Sequence, residues 1–330
     1  MRKFDVCGLG NAMVDIFLDA SEDEFAKMGF ERGTMRLVDK SEQEKLFEQF
    51  HGSRHDLRLV SGGSVANSVI GLTQLGGRSA FIGCVGDDRY GLHYAEEFSQ
   101  LSIEFGSNIL VGETTGTCLA IITPDAERTM RTCLAVASHL SAEHVNADSI
   151  ANAEWLFIEG YVFANPDTGQ LAIREAIRVA KQNGTKVALT CSDAFIPEVF
   201  GDAFRAGIAQ SDLLFCNAAE ALSVTGKSDA AAAFAALKSL VPNAVVTDGP
   251  LGAHVRYAGQ EIHVPAFACT PKDLTGAGDM FAGAFLYGVT HGFSPDTAAK
   301  GANYLCMKVI TQVGARLHQG ARGYWDEVTA

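Results

Sequence analysis

The chain has 330 residues, 47% of them hydrophobic and 20% charged, with a formal net charge of −13. That is the composition of an ordinary globular protein, with room for one large α/β domain plus an accessory element, or for two domains. The negative charge argues against nucleic acid or an anionic membrane as the main partner, and no apolar run reaches the roughly 18 residues that a membrane-spanning helix needs. The eight Cys are scattered with no Cys-x-x-Cys pair, which fits small core residues in a reducing cytoplasm.

From the N-terminus, Phe4 to Leu9 reads as a buried strand rather than a signal peptide, and Met13 to Leu18 as a second strand. Gly8 and Gly10 suggest a dinucleotide fingerprint, but position 13 is Met and no helix follows, so a Rossmann site is excluded. Ser21 to Lys27 and Ser41 to Phe50 read as polar helices. Val65, Val69 and Leu72 recur at helical spacing and Gly76-Gly77 ends that helix. A strand is expected at Ser79 to Val85 and a helix at Tyr90 to Leu101. Short strands follow at Asn108 to Val111, Thr117 to Thr123 and Arg128 to Cys133. Strands at Trp155 to Glu159, Lys186 to Thr190, Leu213 to Cys216 and Ala244 to Thr247 then alternate with helices at Thr168 to Gln182, Ala218 to Val224 and Ala230 to Leu240. Such alternation predicts an α/β fold with a parallel sheet and ligands at the C-terminal strand ends. The β-rich stretches of about 12–58 and 105–134 predict a lid within a single domain of residues 1–330.

The chemistry concentrates in Asp273-Leu-Thr-Gly-Ala-Gly-Asp279, which opens an apolar helix carrying Phe281, Phe285, Leu286 and Val289. Gly276, Ala277 and Gly278 leave backbone N–H groups open to a ligand at a helix N-terminus, a natural anion site. A carboxylate beside an anion is costly unless it works, and taking a proton from an attacking hydroxyl is such work. One reading is therefore a phosphoryl-transfer site with Asp279 as base; the other is a glycine loop whose Asp merely caps a helix. Ser61-Gly-Gly-Ser-Val-Ala-Asn67 likewise leads a strand into a helix through two glycines, with Ser64 read as the N-cap and Asn67 carrying donors and acceptors one turn in. No Gly-x-x-x-x-Gly-Lys-Ser/Thr is present, which excludes a P-loop enzyme.

The Asp273–Asp279 segment resembles the C-terminal signature of the ribokinase-like (PfkB) carbohydrate and nucleoside kinases, with Leu274 where many members have Thr. Gly62, Gly63 and Asn67 resemble the N-terminal signature of that family, in the expected order, so the likeness spans nearly the whole chain. It implies a ribokinase-like fold: a central, mostly parallel sheet flanked by helices, with a small β-rich lid. It also implies that Gly62, Gly63 and Asn67 hold acceptor hydroxyls. Gly10 to Asp15 resembles the family's Gly-x-x-x-x-Asp, which gives Asp15, and more weakly Asn11, to the acceptor. Asn217-Ala-Ala-Glu220 is similar to its Asn-x-x-Glu; this implies that Asn217 contacts phosphates and that Glu220 orients Mg²⁺ through water. Thr247, Gly249 and Gly252 resemble the ATP-side loop, and Asn303 lies on a late helix that flanks the nucleotide in relatives. Asp273 and Thr275, near Gly314, resemble a monovalent-cation loop whose oxygens suit K⁺, and Thr275 is counted with the nucleotide contacts. Arg128, in a segment similar to that of adenosine-kinase-like members, is placed by the likeness on the transferring phosphate, with a solvated edge strand as the other reading.

These expectations amount to an ATP- and Mg²⁺-dependent kinase acting on a hydroxymethyl group. The resemblance favours a purine ribonucleoside of the adenosine kind, its base stacked by Phe163 or Tyr161. A sugar such as ribose or fructose is the alternative acceptor, and a catalytically silent nucleotide-binding relative the alternative of another class. The partner is a small molecule, with the chain a monomer or a homodimer through the lid.

Overall fold

The apolar runs lie side by side. The computed structural model describes residues 2–51, 58–105, 108–125 and 127–330, and its main sheet has nine strands. In spatial order they are Gln260–Val264, Ala253–Tyr257, Asn243–Thr247, Leu213–Asn217, Lys186–Thr190, Ala153–Ile158, Phe4–Leu9, Ser79–Ile82 and Glu104–Phe105. The seven from Asn243–Thr247 onward pair in parallel, and the first two form an antiparallel hairpin at one edge. Strands buried on both faces read as continuous apolar runs, and Trp155 to Ile158 show why: Trp155 and Phe157 enter one core, Leu156 and Ile158 the other.

One helix fixes the geometry that matters. Ala277–Thr290 is buried without interruption from Met280 to Gly288, so it runs inside the protein rather than over it. It crosses the Ser64–Gln74 helix at Gly283, where a Cβ would overlap the Ser68 carbonyl oxygen. The close approach brings the two N-terminal turns together, one carrying Asp279 and the other Ser64 and Asn67.

A second sheet of five strands has the order Met35–Leu37, Arg128–Cys133, Gly116–Ile122, Met13–Asp19, Arg58–Gly62. Helices Glu22–Met28 and Lys40–His51 belong to the same segments. The first is closed by a reciprocal Ser21–Glu24 capping box, and Phe25 and Leu46 pack with Val14, Ile16 and Leu18. The expected lid of 12–58 and 105–134 corresponds to strands between 13 and 62 and between 116 and 133, with 52–57, 106, 107 and 126 outside the described residues. Its second segment starts later than expected. Glu104–Phe105 joins the main sheet because Phe105 packs against Phe81, Tyr94 and Phe98, and Ile109–Leu110 pairs with Val85–Gly86. All eight Cys are free, and no helix among the described residues is long and apolar enough to cross a membrane.

Candidate active site

Three helix N-termini meet at the C-terminal ends of the main strands. They belong to Ser64–Gln74, Ala218–Thr225 and Ala277–Thr290. Each contributes unsatisfied N–H groups and partial positive charge, so their convergence makes an anion site without cationic side chains. Between them lies a cleft of about 190 Å³ lined by Ser64, Asn217, Glu220, Thr247, Gly276, Ala277, Gly278 and Asp279 among others. Seven of these eight, all but Ser64, were expected from sequence as catalytic, metal-orienting or nucleotide-side groups; none of the cleft's lining residues is Lys, Arg or His.

Asp279 is held from both sides. Ser64 Oγ donates to its Oδ1 at 2.6 Å, and Asn67 Nδ2 to its Oδ2 at 3.1 Å. Burial pushes the carboxyl up to about 6, against the pull of those two hydrogen bonds. The alternative reading of this turn made Ser64 the helix cap; Gly63 is the N-cap, with φ of 106°, and the Ser64 hydroxyl turns to Asp279. Ser64 was not among the expected site residues, and its contact with Asp279 is visible only in the fold.

Gly276 caps the other helix in the left-handed region, with φ of 79°, and a Cβ there would overlap Ala315 backbone. At Gly278 a Cβ would meet nothing within 4 Å, because that position faces the open cleft. One glycine is required by the protein and the other leaves room for a ligand.

On the other side of Asn67 a cavity of about 320 Å³ is lined by Asp15, Asn67, Arg58, Gln74, Glu97 and Arg316 among others. Burial pushes the Asp15 carboxyl up to about 6; Arg316 and Arg128 pull it down and Asp279 pushes it up. Gly62 leaves room for this carboxylate, since a Cβ there would sit 2.9 Å from Asp15 Oδ2. Gly63 likewise packs on the Asn11 carbonyl. Asn11 Nδ2 donates to Glu159 Oε1 at 3.0 Å, leaving Asn11 Oδ1 buried with no protein partner among the described residues. Glu159 also accepts from the Val65 N–H, and burial pushes it up to about 7. It had no place among the expected site residues because a carboxylate closing an apolar strand carries no spacing signal.

Asn217 and Glu220 close a capping box, with Glu220 N–H donating to Asn217 Oδ1 and Asn217 N–H to Glu220 Oε2, both at 2.9 Å. Burial pushes Glu220 up to about 7, with Asp193 and Asp279 adding to the rise. Beyond the cleft an apolar cavity of about 650 Å³ is lined by Thr247, Gly249, Gly252, Phe267, Met307 and Asn303 among others. The amide nitrogen of Asn303 is committed within the protein: Nδ2 donates to the Val264 and Pro265 carbonyls and pins that strand end.

Three expectations fail. Phe163 is 2% exposed and packs edge-on against Phe204, because the chain leaves its strand in a tight helical turn at Gly160–Ala164 that aims this ring into the core. Tyr161 stays half-buried beside Phe195. Arg128 does not point into the phosphate cleft; it pairs with Asp273 Oδ2 at 2.7 Å and donates to Thr275 Oγ1 at 3.3 Å. Nor do the Asp273 and Thr275 side chains stand free for an ion: Asp273 Oδ1 accepts from Thr275 N–H, Oδ2 from Gly314 N–H, and Thr275 Oγ1 from Arg128. Thr275 is turned to Arg128 and lines neither the cleft nor the apolar cavity.

Two carboxylates raised to about 6, Asp15 and Asp279, lie in the cavities on either side of Asn67; if both bind one acceptor as anions, its pH profile reports them together. The acid limb of kcat/KM for the acceptor should therefore fall through about pH 6 with a slope steeper than one proton. In Asp15→Asn the limb should relax to one proton; an unchanged two-proton slope would remove Asp15 from the acceptor site.

The profile of the pfkB family carbohydrate kinases matches residues 34–320. An adenosine kinase of Saccharomyces cerevisiae is 26% identical over 328 residues, covering 93% of this chain and 94% of its own. The crystal structure of adenosine kinase from Sinorhizobium meliloti superposes with a TM-score of 0.87 at 31% identity, covering 98% of this chain and 99% of that one. A probable sugar kinase from Rhizobium etli gives 0.88 at 29% identity and covers 99% of both chains. The chain belongs to the pfkB family, has its ribokinase-like fold, and is an ATP-dependent kinase.

Proposed function

We propose that this pfkB-family kinase transfers the γ-phosphoryl group of Mg·ATP to the hydroxymethyl group of a purine ribonucleoside. The observation that carries the acceptor is the inner face of the second sheet. Side chains alternate along a strand, so residues paired with Asp15 and their neighbours two along share its face. Asp15 pairs with Cys118, Phe17 with Ala120, and Ala120 with Met130, which in turn pairs with Met35; Leu37 lies opposite Thr132. Arg128, on the same face, reaches Asp273 in the main body, so this face looks toward the site. Met35 and Leu37 are 49% and 58% exposed on it. An apolar strip beside a diol-binding carboxylate suits a flat base attached to a ribose.

The geometry supports the following roles. The adenine of ATP takes the apolar cavity at Thr247, Gly249 and Gly252, and its phosphates take the cleft at Asn217 and Gly276–Gly278. With no basic side chain lining the cleft and Asp279 and Glu220 inside it, a polyphosphate there needs a divalent cation. Glu220 would hold Mg²⁺ through water, since Asn217 already donates to both of its oxygens. The ion's chemistry is to neutralise charge gathering on the transferring group. Asp15 and the free Asn11 Oδ1 accept the acceptor's hydroxyl hydrogens, and Asn67 orients both acceptor and base. Asp279 takes the hydroxymethyl proton as that oxygen attacks the γ-phosphorus and ADP leaves in line.

One observation favours a sugar instead. The cavity beside Asp15 is lined by Arg58, Gln74, Glu97 and Arg316, which suits hydroxyl groups better than a purine. ADP release with Mg·ATP, measured in parallel on adenosine, inosine, guanosine, ribose and fructose, decides between them. Strong turnover with one nucleoside is expected, and Met130→Lys should raise its KM about tenfold while leaving that of a sugar unchanged. Turnover of sugars alone would overturn the nucleoside reading and keep the chemistry.

A further inference from the structure

The carboxylate of Asp273 heads the loop that builds the anion site, and it is tied in three directions. Oδ1 accepts from Thr275 N–H at 3.1 Å, Oδ2 from Gly314 N–H at 2.7 Å, and the Arg128 guanidinium lies 2.7 Å from Oδ2. The backbone N–H groups of Lys272 and Asp273 both reach the Ile310 carbonyl, so the loop is bound to the segment that also carries Gly314 and Ala315. Gly276 rests on that same Ala315. The Asp273 and Arg128 side chains are 9% and 13% exposed, so each would be costly to leave unpaired. Arg128 lies against the two side-chain oxygens of the loop, its Nη2 paired with Asp273 Oδ2 by charge without hydrogen-bond alignment and its Nη1 donating to Thr275 Oγ1. A metal cation there would have to displace the guanidinium or sit beside a like charge.

We infer that Arg128 is the resident cation of this loop, so that the kinase works without a monovalent ion and its anion site receives that charge from the second sheet. The fork of a guanidinium can hold a carboxylate and a hydroxyl together, as a point charge cannot. Arg128 is thus a positioning residue: it fixes Asp273 and Thr275, which set Gly276 to Gly278, and it does not touch the phosphate. Because the cation is carried on the Arg128–Cys133 strand, seating the second sheet and charging the loop are one event.

The inference rests on phosphoryl transfer but not on the nature of the acceptor. Melting temperature and initial rate are measured in KCl, NaCl and tetramethylammonium chloride at equal ionic strength. The wild type should melt at one temperature in all three salts, a readout that needs no acceptor, and its rates should agree within about twofold. Arg128→Ala should lose about 100-fold in kcat in tetramethylammonium and regain about tenfold with K⁺ or guanidinium, whereas Arg128→Lys should stay indifferent to K⁺ at a reduced rate. A melting temperature of the wild type that rises only in K⁺, or saturable activation of it by K⁺, would overturn the inference. So would an Arg128→Ala protein that keeps the wild-type rate, or one that folds with an intact circular dichroism spectrum yet responds to neither ion.

Discussion

Asp279→Asn should cut kcat by roughly 10²–10⁴ while leaving the affinity for ATP nearly intact. The carboxylate is set up as a base by its surroundings. Ser64 and Asn67 each donate to one oxygen, which fixes its orientation and favours the anion. It lies in the first turn of a helix whose N-terminus also favours the anion. Burial acts the other way and leaves the carboxyl at about 6, basic enough to take a proton and still ionised at neutral pH. An amide of the same shape keeps the cleft and loses the proton acceptor. Stability should move in the opposite direction. The folded value lies above that of an unfolded aspartate, so the stability this group contributes is present below about pH 4 and lost as pH rises through 6. At pH 8 the variant should therefore melt at or above the wild type, by the equivalent of about 1–2 kcal/mol. The amide can turn its oxygen to Asn67 Nδ2 and its NH2 to Ser64 Oγ, which then accepts, and the gain should vanish near pH 4. Thermal melts at the two pH values and single-turnover rates check both halves. A variant as active as the wild type would end the assignment of Asp279 as base.

Local grammar was enough for much of this site. Arg128–Cys133 and Lys186–Thr190 are strands over the ranges that their alternation predicts. The glycines at 276 and 278 and the apolar helix behind them were legible as a loop opening a helix, and the Ala277–Thr290 helix does begin there, capped by Gly276. What the sequence did not disclose is which side chains meet. Ser64 and Asp279 are 215 positions apart, and nothing near either residue says that the hydroxyl will turn from its own helix cap to a distant carboxylate. The likeness puts Arg128 on the phosphate, but a carboxylate 145 positions on, Asp273, is its partner in the fold. Glu159 ends an apolar strand, and only the fold shows that it is buried against Asn11 and the Val65 N–H. Phe163 fails for a local reason: a strand-like reading carries its ring toward the strand ends, and the turn at Gly160–Ala164 rotates it onto Phe204.

The two glycines of the Gly276–Gly278 loop should separate folding from binding. Gly276→Ala puts a Cβ onto Ala315 backbone at a φ of 79°, where an L side chain is strained whatever the space. The strain and the overlap fall on the segment that Asp273 and Gly314 hold together, so relief requires the loop to move. The expected cost is about 2–4 kcal/mol of stability, with a loss of at least about 100-fold in kcat as the N–H groups lose their aim. Gly278→Ala meets nothing within 4 Å and lies inside the Ala277–Thr290 helix, where alanine is the better helix former. It should be neutral or stabilising by about 0.5–1 kcal/mol. Its methyl group projects into the cleft that the phosphates need, so the penalty should fall on KM for ATP and on kcat rather than on the melting temperature. Denaturant unfolding and steady-state kinetics on the two variants measure both axes. If Gly278→Ala unfolds the protein as readily as Gly276→Ala, the cleft is part of the packing and the anion site must be sought elsewhere.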